Sequence, residues 1–115
     1  MLVARSMHPT WLSNTWLLAD RAGGEAVVID TGGPMEPILE VIERERLSVR
    51  RVLCTHHHYD HVDHNQDYAD RFGCPICAHP AEFERTPGAN TKLHDGEVLQ
   101  VGALELRALH IPGHT

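Results

Sequence analysis

Four residues able to ligate a metal fall within six positions of the segment Thr55-His56-His57-His58-Tyr59-Asp60-His61, spaced His-x-His-x-Asp-His. They are His56, His58, Asp60 and His61. Neutral imidazole and carboxylate are donor types that suit zinc, and also iron or manganese. On an extended backbone residues i and i+2 project to one side, so His56 and His58 converge on one ion, while a sharp turn lets Asp60 and His61 reach a second. Two divalent ions about 3.5–4 Å apart would share a water and lower its pKa from about 15.7 toward about 7. The chemistry expected is metal-dependent hydrolysis with a metal-bound hydroxide as nucleophile. A solvated, adventitiously metal-binding loop is the plainer alternative. The full pattern, its place after an apolar run and a second histidine segment downstream argue against it.

The elements that must position these residues follow from periodicity and punctuation. Residues 14–20 and 25–30 predict two strands joined by a turn around Ala22-Gly23-Gly24. The second is continuously apolar from Ala26 to Ile29, as in a strand covered on both faces, and ends at Asp30-Thr31-Gly32-Gly33. Pro34 suits the first position of a helix, and Met35, Ile38, Leu39 and Ile42 share one helical face, predicting a helix to about Arg46. Residues 49–55 predict a buried strand whose end delivers the histidines. Asp63 and Gln66 have the spacing of a capping box, so a helix is expected from near His64 to Gly73, with residues 56–62 as a loop. A short strand over 75–78, a helical turn over 80–85 and paired strands over 98–101 and 104–110 complete the reading. Alternating strands and helices indicate an α/β layered architecture in a single domain, residues 1–115.

Composition narrows the partners. The 115 residues are 42% hydrophobic and 23% charged, as in a globular protein. A formal charge of −6 and no Lys/Arg cluster argue against nucleic acid. No stretch is long enough to cross a bilayer, and the N-terminus lacks a signal-peptide pattern. Three cysteines, Cys54, Cys74 and Cys77, suit reduced thiols, so a cytoplasmic location is expected. Of the ten histidines, four lie between His56 and His61, a bias that itself points to metal.

His56-x-His58-x-Asp60-His61 after an apolar strand, Asp30-Thr31-Gly32 before it and Pro112-Gly113-His114-Thr115 after it resemble, in that order, the metallo-β-lactamase superfamily. Within it, Thr55 to His61 looks most like the glyoxalase II (hydroxyacylglutathione hydrolase-like) branch, thioester hydrolases that act on S-acyl glutathione. The resemblance covers nearly the whole chain. It implies an αββα sandwich of two similar halves, this chain corresponding to roughly the first. It also implies two divalent ions, with His56, His58 and His114 around the first and Asp60 and His61 on the second. Asp60 would hold its metal and help orient the nucleophile, and Asp30 would be a buried residue behind the ligands. The resemblance departs at Val62-Asp63-His64, where relatives often have small or glycine residues. The family's bridging aspartate and final histidine ligand lie beyond Thr115, so a chain truncated at its C-terminus, with one sheet face bare, is expected.

Other features have plainer readings. Cys74-Pro75-Ile76-Cys77 lacks the partners of a zinc or redox pair and reads as structural thiols. His110 has the option of orienting a ligand through its second ring nitrogen or of packing in a strand. His57 and His79 read as packing and loop residues, and Trp11 and Trp16 as core or hairpin packing. The expected activity is hydrolysis of a small-molecule thioester or related ester. One alternative is a mononuclear iron oxidoreductase resembling persulfide dioxygenases. Another, if the chain truly ends at Thr115, is a non-catalytic metal-binding protein.

Overall fold

Ala26, Val27 and Val28 have no exposed surface and form the centre of β3 (Glu25–Ile29). Ala26 and Val28 face one core cluster and Val27 faces another, so the continuous apolar run does reflect cover on both faces. The computed structural model describes residues 1–56 and 58–109, and leaves the side chains of Tyr59 and Asp60 undescribed. The expectations for His57, His110 and the Pro112–Thr115 segment lie outside the described residues.

Six strands lie side by side in chain order: β1 (Leu2–Met7), β2 (Asn14–Ala19), β3, β4 (Ser48–Leu53), β5 (Ile76–Ala78) and β6 (Thr91–Lys92). The first three pair antiparallel and the last four parallel. Each parallel step needs a crossover. Between β3 and β4 it is α1 (Met35–Arg44), and between β4 and β5 it is α2 (Tyr59–Val62) followed by α3 (Asn65–Phe72). Ile38 and Ile42 of α1 and Tyr68 of α3 pack with Val28, Val49 and Val52 into the larger core. Truncating Ile38 or Val52 there should cost about 2–5 and 1–3 kcal/mol. On the opposite face the hairpin of β7 (Val98–Val101) and β8 (Leu104–Arg107) lays Leu99 and Val101 against Val27, Leu53 and Cys77. Its turn is pinned by Asp20 and Glu25, which accept hydrogen bonds from Ala103 N at 3.0 Å and Gly102 N at 3.2 Å.

Several expectations change. The edge strand β1 and the two-residue β6 were not foreseen, and one helical turn, α2, occupies part of the expected 56–62 loop. The Asp63/Gln66 capping box does not form: α3 begins at Asn65 with no side-chain cap, and Gln66 donates to Asp70 at 2.8 Å. Strand β8 stops at Arg107. Neither tryptophan is core. Trp11 is 59% exposed against the His8 ring, and Trp16 is 39% exposed beneath the Arg5 guanidinium. Among the described residues Val3, Met7 and Trp16 are exposed on the face that carries the β7–β8 hairpin. Among the described residues no helix is long and apolar enough to cross a membrane.

Candidate metal centre

Parallel pairing of β3 and β4 brings their carboxyl ends together, the edge where ligand sites of open α/β sheets are built. Asp30 N donates to Leu53 O at 2.8 Å, extending the ladder one step, and the backbone then turns through a left-handed conformation at Asp30 (φ 59°). Aspartate tolerates this region better than most residues. A Cβ at Gly33 would run into the Ser6 carbonyl, so the turn after Asp30 also needs its glycine.

Opposite this turn, β4 continues through Cys54 into the histidine segment. The His56 ring lies 4.7 Å from that of His58, edge-on at 88°, and 4.0 Å from that of His61. The structure thus gathers three of the five ligands named from sequence. Asp60 sits in α2 between His58 and His61. His110 and His114 lie outside the described residues, and among those described no three His, Cys, Asp or Glu side chains form a set able to hold an ion.

Asp30, 5% exposed, lies directly behind the rings. Its Oδ1 accepts from Thr55 N at 2.8 Å, and its Oδ2 accepts from the Thr55 hydroxyl at 2.7 Å and from His61 Nδ1 at 3.0 Å. Since the Thr55 hydroxyl donates to Asp30, it accepts from His56 Nδ1, 3.0 Å away. Both rings therefore carry their proton on Nδ1, and in the neutral ring Nε2 holds the lone pair. This is the arrangement in which a metal-ligating imidazole gives its other ring N–H to a carboxylate or a neighbouring oxygen.

The thiols do not join this donor set. Burial, with the charge of Asp30 adding to it, pushes Cys54 up to about 12, and its sulfur accepts a hydrogen bond from Asn65 Nδ2 at 3.4 Å. Burial likewise pushes Cys77 up to about 11, and Cys54, Cys74 and Cys77 are all buried and unpaired by disulfides. His79 Nδ1 accepts from Ala81 N at 3.0 Å, and His64 lies between Asp67 at 3.2 Å and Asp63 at 3.7 Å.

Sequence reasoning missed Thr31, Thr55 and Asn65 as structural supports of the centre. Thr31 and Asn65 are fully buried and share a 2.7 Å hydrogen bond. The signals were slight: a threonine beside each of Asp30 and His56, and a polar residue on the inner side of α3.

Comparison with known proteins identifies the family. The Metallo-beta-lactamase superfamily pattern matches residues 8–115. An uncharacterised protein of Mycobacterium tuberculosis is 32% identical over 89% of this chain, which spans 56% of that relative. A hydroxyacylglutathione hydrolase of Chelativorans sp. is 37% identical over 86% of the chain and 38% of its own length. The chain thus spans about half the length of the relatives it matches, or less. The crystal structure of the BLEG-1 B3 metallo-beta-lactamase superposes with a TM-score of 0.83 at 25% identity, covering 99% of this chain and 63% of that one. Residues 8–115 place this chain in the metallo-β-lactamase superfamily.

Proposed function

We propose that the chain carries the metal-binding part of a glyoxalase II-like hydrolase that cleaves a small-molecule thioester or related ester. The observation that carries this reading is the cluster of His56, His58 and His61 with Asp30 behind it, at the carboxyl ends of two parallel strands. The hydroxyacylglutathione hydrolase among the relatives supports the substrate class.

His56, His58 and His114 are assigned to one divalent ion and Asp60 and His61 to a second, zinc first and iron or manganese as substitutes. Such a pair supplies Lewis acidity and a water acidified toward neutral pH. The protein's own part is orientation. Asp30 takes the Nδ1 proton of His61 in a hydrogen bond and, through the Thr55 hydroxyl, that of His56. Neither ring then turns over or presents the wrong tautomer. Asp60, fixed in α2, is assigned the orientation of the attacking nucleophile. The rigid β3–β4 edge holds these groups in place against a carbonyl substrate.

Metal analysis of the complete protein, together with hydrolysis of a hydroxyacyl-glutathione thioester, tests this reading. Two divalent ions per chain and turnover reduced ~100-fold or more by Asp60→Asn are expected. One iron per chain, with oxygen uptake on glutathione persulfide and no thioester cleavage, would overturn it.

A further inference from the structure

The turn that carries Asp60 and His61 is four residues long, too short to hold its shape through helical hydrogen bonds alone. Its support comes from Thr31, a residue more than two dozen positions earlier in the chain. Thr31 N donates to His61 O at 2.9 Å, and His64 N donates back to Thr31 O at 3.2 Å and to its hydroxyl oxygen at 3.1 Å. Thr31 thus grips the backbone on both sides of Val62 and Asp63. Its neighbour Asp30 grips the side chain of the same His61.

The direction of the Thr31 hydroxyl is itself fixed. Asn65 Nδ2 donates to Pro87 O at 3.1 Å and to Cys54 Sγ at 3.4 Å, so Oδ1 must be the atom facing Thr31. The hydroxyl therefore donates to Asn65 Oδ1, at 2.7 Å, and accepts from His64 N. Thr31 and Asn65 are both fully buried, so water offers neither a substitute partner.

We propose that Thr31 and Asn65 form a latch that sets the position of the ligand-bearing turn and thereby the affinity of the centre for its metal. They are positioning residues, touching neither metal nor substrate, and the inference rests on the metal-binding reading above. Without the Thr31 hydroxyl, His64 N keeps only the longer bond to the Thr31 carbonyl and Asn65 Oδ1 loses its donor. The turn is then free to shift relative to Asp30, and His61 no longer meets both its carboxylate and the ion.

Cobalt(II) binding by the full chain tests the latch, with Thr31→Val, Thr31→Ser and Asn65→Ala compared with the wild type by chelator competition, visible spectrum and melting temperature with and without metal. Thr31→Val is expected to weaken cobalt binding ~10-fold or more and to alter the d–d bands, with Thr31→Ser restoring both. Asn65→Ala, which removes the acceptor, should act in the same direction and stands in if Thr31→Val does not fold. Variants that lower both melting temperatures equally while keeping wild-type affinity and spectrum would show a merely structural role and overturn the latch. A wild-type chain that takes up no cobalt would instead overturn the metal reading, and the latch with it.

Discussion

Oδ2 of Asp30 lies 3.0 Å from Nδ1 of His61, across 31 positions of sequence. Replacing Asp30 with Asn keeps the left-handed backbone accessible, since asparagine also tolerates it. The side-chain amide must still offer an oxygen to Thr55 N, which turns its NH2 group toward His61. Two donors then face each other, and the ring is driven to the tautomer protonated on Nε2. Asp30→Asn should lower zinc affinity by about 10–100-fold, measured by chelator competition, with the fold intact by circular dichroism. Unchanged affinity would rule out the orienting role.

The β7–β8 turn gives the fold an acid-sensitive anchor. The backbone hydrogen bond from Ala103 lowers the pKa of Asp20 below its ordinary 3.8, and the Arg50 guanidinium, then the Gly102 N–H, lowers that of Glu25 below 4.5. For carboxylates depressed in the folded state, the stabilisation is complete above the ordinary values and disappears as pH falls through the lowered ones. Urea midpoints should therefore fall on acidification below pH 4.5, and Asp20→Asn with Glu25→Gln should flatten that limb. A double variant with the wild-type slope would show that the anchor does not titrate.

Burial keeps the thiols protonated at neutral pH, and only the thiolate reacts. At pH 8 the native protein should therefore resist iodoacetamide, while all three cysteines should react after denaturation. Rapid native labelling of Cys54 or Cys77, counted by mass spectrometry, would contradict values of about 12 and 11.

The two longer helices end alike in backbone but not in residue. Helix α3 closes on Gly73 at φ 60°, while after α1 the left-handed position is taken by Arg46 at φ 55°. There Arg46 N bonds Glu43 O and Leu47 N bonds Ile42 O. Glycine is favoured at such a position, so Arg46→Gly should raise stability by about 0.5–1 kcal/mol and Gly73→Ala should lower it by about 1 kcal/mol, read from urea midpoints.

The histidine cluster was legible in sequence because its members are local: three of them share six consecutive residues, and periodicity placed the preceding strand. Asp30 was visible through its position at a strand end and through the family resemblance. Thr31, Thr55 and Asn65 were not, because their roles rest on hydrogen bonds between distant segments that leave no periodic trace. The same holds for α2, whose turn is stabilised from Thr31 rather than by its own propensity. β1 begins the chain with no turn signal to announce it, and β6 is too short for alternation to show. Asp63 and Gln66 had the capping spacing, but α3 begins later than that spacing required, after His64 N bonds back to Thr31.

Cys54 lies within reach of the centre's supporting network yet withholds its sulfur. Its thiol stays neutral and its lone pair receives the Asn65 amide. Cys54 thus serves the supporting network as a neutral acceptor that helps fix which way the Asn65 amide faces.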